Sequence, residues 1–183
     1  MKNLFLTAAL LFIGTAALAQ FKGGNDGSDK KNVIKINPIG FLFGNASVGF
    51  ERAIDDNSAI QVNGSFGGIN LGGVKYTNVG FGLDYKYYFA KDKSAPLGFY
   101  ASPGVGFYSV KVKEASGTSV SGSGFIIKGV IGNQWIWDSG FSLDLFGGIN
   151  FYAGGKIKGS GGVEYTKYNG VLPALGLGIG YAF

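Results

Sequence analysis

Gly170-Val171-Leu172-Pro173-Ala174-Leu175-Gly176-Leu177-Gly178-Ile179-Gly180-Tyr181-Ala182-Phe183 is the stretch that decides how this sequence reads. Every odd position from Leu175 to Phe183 is large and apolar, and every even position from Ala174 to Ala182 is Gly or Ala. Side chains alternate faces along a strand, so this pattern predicts one greasy ridge and one nearly bare face. Such a strand, ending on an aromatic ring, is expected to be the last strand of a transmembrane barrel. Lipid would lie on the ridge and a crowded lumen on the bare side.

The amino terminus agrees with this expectation. Lys2 supplies a positive charge, the stretch 4–18 is mostly apolar, and Ala17-Leu18-Ala19 is a small-x-small cleavage site before Gln20. The apolar run is shorter than the roughly 20 residues of a spanning helix. Residues 1–19 therefore read as a secretory signal peptide, and the polar, Gly/Asp/Lys-rich stretch 20–31 as a flexible periplasmic leader. No Cys follows the cleavage site, so a lipoprotein anchor is not expected, and with no Cys at all the chain has no thiol chemistry.

Residues 32–183 suit one domain. Gly makes up 34 of 183 residues without a Gly-X-Y period, which excludes collagen. Abundant aromatic residues argue against a disordered tail. The formal charge of +5, or +4 once Lys2 is removed, is modest and dispersed, so nucleic acid is not an expected partner.

Eight strand-like runs follow one another: 32–42, 46–54, 59–68, 77–90, 97–112, 122–137, 141–154 and 170–183. The connections after the second, fourth and sixth are short. Those after the third, fifth and seventh, at 69–76, 113–121 and 155–169, are longer. Short periplasmic turns and longer external loops are the habit of outer-membrane barrels. The parity puts both chain ends in the periplasm, with 43–45 an unusually tight first external connection. Asp138-Ser139-Gly140 suits a three-residue hairpin with a left-handed Gly.

The alternation holds from strand to strand. Val79, Phe81, Leu83, Tyr85, Tyr87 and Phe89 share one face, and Gly80, Gly82, Asp84, Lys86, Tyr88 and Ala90 the other. A soluble sandwich or lipocalin would also alternate, but apolar faces this rich in Phe, Tyr and Trp would overfill a small barrel. The bulky faces are expected outside and the Gly/Ala-rich faces inside. The fold class is thus all-β, an eight-stranded antiparallel up-and-down transmembrane barrel. Pro38, Pro103 and Pro173 fall in these runs and predict a bulge or a frayed end at each. Asn133 falls in an outward phase, so it is expected either near the periplasmic interface or at a slip of register.

Six charges occupy the inward phase: Lys35, Glu51, Asp84, Lys86, Lys128 and Asp144. Three are basic and three acidic, so the lumen is expected to be neutral. Gln61, Asn63, Gln134 and Asn150 join them. Buried charges require partners, so these residues predict a polar network that fills the lumen, with Glu51 beside Lys35 and Asp84 beside Lys86. A proton or ion path is the competing reading, and eight strands leave little room for one.

Enzymatic readings fare badly. The chain has no His, which removes Ser–His hydrolysis, His acid–base work and the commonest metal ligand. Gly64-Ser65-Phe66-Gly67-Gly68 lacks the Lys-Ser/Thr ending of a phosphate loop. No catalytic residue, metal site or cofactor is expected. The external rim carries Lys75, Lys113, Lys156, Lys158 and Lys167 against Glu114 and Glu164. Those basic residues, with Tyr165 and Tyr168 beside Lys167, are candidate contacts for lipopolysaccharide phosphates or a surface partner. Tyr181 and Phe183 are candidate assembly signals.

Lys35-Ile36-Asn37-Pro38-Ile39-Gly40-Phe41-Leu42-Phe43-Gly44-Asn45, followed by Val48-Gly49-Phe50-Glu51-Arg52-Ala53-Ile54, resembles the opening hairpin of a family of small, largely uncharacterised outer-membrane barrels common in Bacteroidota. The shared pattern is an Asn-Pro hydrophobic strand, a Phe-Gly-Asn turn and then Gly-aromatic-Glu. In architecture the mature chain is similar to OmpX and to the OmpA membrane domain. The resemblance implies an eight-stranded barrel, contact with outer-membrane lipid, and assembly machinery that reads the terminal aromatic. It implies no activity. The expected function is a non-enzymatic outer-membrane barrel with a side-chain-filled lumen, serving envelope structure or surface interaction. A narrow pore for small or apolar solutes and an adhesin acting through external loops are the competing expectations.

Overall fold

The computed structural model describes residues 29–42, 44–89, 94–159 and 164–183, with the side chains of 156, 157 and 164–168 outside the description. The expected signal peptide at 1–19 and most of the leader at 20–31 fall outside the described residues.

Period-two alternation yields eight strands: β1 (Asn32–Ile36), β2 (Asn45–Ala53), β3 (Ser58–Leu71), β4 (Val74–Tyr88), β5 (Gly98–Lys113), β6 (Ser119–Ile136), β7 (Phe141–Gly159) and β8 (Glu164–Ala182). Each pairs antiparallel with the next, and β8 pairs with β1 to close a barrel. At closure Asn32 and Phe183 exchange backbone hydrogen bonds of 2.9 and 2.8 Å. The end holding these termini is here called the terminal end, and the other the far end.

Several expectations are corrected. The first strand does not run through 32–42 but stops at Ile36, and Pro38–Leu42 forms a short helix, α1. Asn37 accepts a hydrogen bond from Gly40 N at 3.2 Å through its side chain, which makes it an N-cap. Pro38 then sits at the first helical position, where its missing N–H costs nothing. The far-end connections are also shorter than expected. The predicted loop 69–76 is a two-residue turn at Gly72 and Gly73, with φ of +58° and +86°, a conformation that glycine adopts without strain. The predicted loop 113–121 shrinks to 114–118, closed by Glu114 N to Thr118 O at 2.9 Å. Most of the predicted loop 155–169 is strand, because β7 continues to Gly159 and β8 begins at Glu164. In the first of these the alternation runs on through Ile69, Leu71, Val74 and Tyr76, which pair across the ladder up to the two-glycine turn.

The remaining prolines do not carry bulges. At Pro103 the β4–β5 ladder is interrupted between the Asp84–Gly104 and Tyr87–Ala101 pairs without a change of register. Pro173 stays in register with Ile149 of β7, and on its other side no described residue of β1 pairs with it. The register shifts lie elsewhere, between Ser123 and Phe125 and between Tyr152 and Ile157. Asn133 stays in register with Leu145.

The polarity of the barrel is inverted relative to a water-soluble protein. Leu175 is 83% exposed, Phe81 68% and Phe125 63% on the outer wall, while the lumen buries Lys35, Glu51, Asp84, Lys86 and Asp144. Inward glycines make room for the few bulky luminal rings. A Cβ on Gly176 would collide with the Phe146 ring, and one on Gly132 would lie 2.6 Å from the Tyr100 hydroxyl.

Candidate functional site: an ionic plug and an open half-lumen

The inward charges gather by level along the barrel axis. Lys35 on β1, Glu51 on β2, Lys86 on β4 and Asp144 on β7 form one cluster near the terminal end. Lys35 Nζ pairs with Glu51 and lies 2.7 Å from Asp144 Oδ2. Lys86 Nζ lies 3.0 Å from Glu51 Oε2 and 2.9 Å from Asp144 Oδ2. Both ammonium groups also donate to Gln134 Oε1, at 2.6 and 3.3 Å. Two cations and two anions thus alternate around a square, and the cluster is neutral. Desolvation of this many charges is offset only because each keeps several partners.

Two tyrosines complete the cluster. Tyr88 donates its hydroxyl to Glu51, and Tyr100 donates to Asp144 Oδ1 at 2.7 Å. Lys86 Nζ sits 3.8 Å from the Tyr100 ring centroid, a cation–π contact. Gln134 donates to Pro96 O at 2.6 Å, which ties in the β4–β5 connection. Below the ionic layer Val33, Leu97, Ile136 and Ala182 form a buried apolar seal. The inward phase of Tyr88, two residues beyond Lys86, was the available signal for these phenols.

Asp84 does not pair with Lys86. Its partner is Lys128, at 2.7 Å, because the two side chains meet on one level of the lumen while Lys86 is drawn down to the lower cluster. Asn63 donates to Asp84 Oδ2 at 2.5 Å, and Gln61 donates to Asn63 Oδ1 at 2.7 Å. Asn150 is half-buried and paired in register with Lys128.

The lumen was expected to be filled by side chains, but among the described residues they leave part of it open. Above the second layer lies a cavity of about 380 Å³ lined by Ser65, Tyr76, Asn78, Tyr108, Ile126, Tyr152 and Leu172 among others. Gly and Ser occupy many inward positions at this level, so the walls stay apart.

At the far-end rim Lys113 and Lys158 are exposed. Lys75 and Lys113 face each other across β4 and β5. The side chains of Lys156, Tyr165, Lys167 and Tyr168 lie outside the description; Tyr165 and Tyr168 belong to β8, in register with Ile157 and Gly155, rather than to a loop. At the terminal end Tyr181 and Phe183 stack at 6.5 Å, and Trp137 packs on Phe141 at 5.2 Å.

Comparison with protein-family models and with curated proteins finds no match for this chain. The functional reading therefore rests on the geometry alone.

Proposed function

We propose that this chain is a non-enzymatic outer-membrane β-barrel that does not conduct, with a role in envelope structure or surface interaction. One observation carries the proposal: charges are buried inside and large apolar side chains are exposed around the whole outer wall. A soluble monomer rarely exposes apolar patches larger than a few hundred Å². In a bilayer the same wall meets solvent of its own polarity, and the ladders between consecutive strands satisfy backbone groups that lipid could not.

Two aromatic rows frame that wall. Phe81, Phe107 and Phe125 neighbour one another at 5.8 Å across β4, β5 and β6. Toward the terminal end Tyr87, Phe89 and Phe99 form a second row, at 5.2 and 5.9 Å. Phe81 and Phe89 are separated along the strand by about 26 Å at ~3.3 Å per residue, or roughly 20 Å after strand tilt, close to the ~25 Å apolar band of membrane barrels. Export by the amino-terminal segment and recognition of Phe183 by assembly machinery belong to the same proposal. Facing lysines 75 and 113 favour phosphate contact at the far end, since like charges opposite each other are unfavourable without an anion between them.

The test is reconstitution. The chain without residues 1–19 should fold into phosphatidylcholine vesicles, migrate as a heat-modifiable band, and give no unitary conductance in a planar bilayer. Failure to associate with vesicles would remove the membrane reading, and discrete conductance steps would remove the plug.

A further inference from the structure

The outer face of the β4–β5 ribbon changes character along its length. From the far end its outward pairs run Lys75–Lys113, Thr77–Lys111, Val79–Ser109 and Phe81–Phe107. The register is unbroken over this stretch, so these side chains share one face. Lys75, Lys111 and Lys113 are exposed. Val79 and Phe81, nearer the middle of the wall, are exposed too. Three ammonium groups thus give way to bare apolar wall within about 20 Å, at ~3.3 Å per residue.

No acid offsets these lysines. None of the three forms an ion pair with a described residue. The nearest acid in sequence, Glu114, accepts from Ser116 Oγ at 3.2 Å within the 114–118 turn. The flanking strands present small polar groups instead. Asn70 of β3 lies opposite Lys75, and Ser121 of β6 lies opposite Lys111. Directly opposed Cβ atoms in a ladder lie about 5 Å apart, so Lys75 and Lys113 repel each other. The terminal end is unlike this rim. Outside the lumen its described charges are mixed, Lys31 and Arg52 standing with Asp55, Asp56 and Asp138.

We propose that this patch binds the headgroup of a membrane lipid bearing two phosphate monoesters, with an acyl chain of that lipid lying down the ribbon over Val79, Phe81 and Phe107. The inference rests on the membrane reading and turns its phosphate contact into one defined site. Charge sets the number of phosphates. A phosphate monoester carries about −1.5 to −2 near pH 7, so one leaves the three lysines under-neutralised and two neutralise them. Lys75 and Lys113 hold one phosphate between them, and Lys111, one pair lower, holds the second. Thr77 is committed elsewhere, since its hydroxyl donates to Lys111 O at 3.3 Å. Asn70 and Ser121 are the neutral donors on either side. The apolar half of the ribbon selects a lipid over a soluble phosphate, which has nothing to place on Phe81 and Phe107.

The test measures lipid binding to the chain without residues 1–19, folded in neutral detergent and read by native mass spectrometry. The probes are an acylated disaccharide bisphosphate, its monophosphate, and the deacylated bisphosphate. The acylated bisphosphate should bind tightest. Lys75→Gln/Lys111→Gln/Lys113→Gln should weaken it about 100-fold, at roughly fivefold per interfacial lysine, and erase its preference over the monophosphate. Arginine at all three positions should preserve both. Lys30→Gln/Lys31→Gln, at the terminal end, is the control and should bind as the parent chain does. Equal affinities of the triple and control variants would overturn the site. Equal binding of bisphosphate and monophosphate by the parent chain would overturn the two-phosphate occupant. Equal binding of the deacylated bisphosphate would overturn the lipid. Should the triple variant fail to give the heat-modifiable form, Lys111→Gln alone should lose about fivefold, and an unchanged affinity there would overturn the site as well. Failure of the parent chain to insert into phosphatidylcholine vesicles would overturn the membrane reading and the site with it. Insertion without the expected contrast between variants would overturn the site alone.

Discussion

Lys86→Met removes one corner of the ionic square and is the sharpest perturbation available. Lys86 is buried, 2% exposed, and its ammonium group meets Glu51 at 3.0 Å and Asp144 at 2.9 Å. It also donates to Gln134 and lies over the Tyr100 ring. Methionine fills much of the volume, so the loss is chiefly electrostatic. Glu51 and Asp144 would then share only Lys35, and the cluster would carry one uncompensated negative charge. Breaking a buried pair in this way costs roughly 3–5 kcal/mol, against ~0–1 kcal/mol for an exposed lysine. With a urea slope of ~2 kcal/mol per M, the unfolding midpoint should fall by about 2 M. Urea titration in detergent micelles, followed by the fluorescence of Trp135 and Trp137, measures this directly. Lys113→Ala, at the exposed rim, is the control. Adding Glu51→Gln to Lys86→Met restores neutrality and should recover much of the loss, since contacting residues couple. A Lys86→Met midpoint equal to that of Lys113→Ala would refute the claim that the cluster is buried and mutually dependent.

Other consequences can be checked separately. Gly176→Ala places a Cβ against the Phe146 ring and should destabilise by ~1–3 kcal/mol in the same titration, with Phe146→Leu relieving it; Gly64→Ala, where a Cβ meets nothing within 4 Å, should not. Ile131→Arg puts a charge on the outer wall, where Ile131 is 58% exposed, and should cost about 2–4 kcal/mol in vesicles while changing little in water-rich micelle surroundings. Deleting Phe183 should lower the folded form in the membrane of living cells yet leave refolding in detergent intact; normal assembly would remove its role as a signal.

The faces of the barrel were legible because alternation needs no partner information. Glu51, Lys86 and Asp144 could be placed inside from the phase of their own strands. The pairing of Lys35 with Glu51 was legible from their neighbouring strands, but the other pairings were not, because they depend on how far each strand is staggered against the next. Asp84 and Lys86 sit two residues apart on one strand, yet they belong to different levels of the lumen. Helix α1 escaped because five residues are too few to show a helical period, although Asn37-Pro38 is a cap followed by a first-turn proline. The cavity escaped for a related reason. Bulk was summed over whole inward faces, whereas Tyr88, Tyr100 and Phe146 crowd the terminal half, and glycine and serine thin the far half. Strand ends at the far end were underestimated because the Gly, Ser and Lys residues there read as loop, whereas ladder pairing runs through them.

The plug and the short seam belong together. Strand pairing alone joins β1 to β8 through four residues on each side, a weak closure for a barrel whose other strands pair at far greater length. Lys35 projects from this seam strand and reaches Glu51 on β2, Gln134 on β6 and Asp144 on β7. It therefore pins β1 across the lumen as well as along the wall. Lys86, on β4, bonds to the same three residues but makes no hydrogen bond to a described residue of β1 or β8. The two lysines should then differ in where they act, even if they cost similar free energy. Lys35→Met should speed amide hydrogen exchange at Ile34, Ile36, Ile179 and Tyr181 well before exchange at Phe81 and Val105 in the β4–β5 ladder. Lys86→Met should raise exchange evenly through the barrel, as expected of global opening. Hydrogen exchange read by NMR in micelles separates these outcomes. Uniform acceleration in Lys35→Met would show that the lysine adds stability without guarding the seam, and the link between plug and closure would fall.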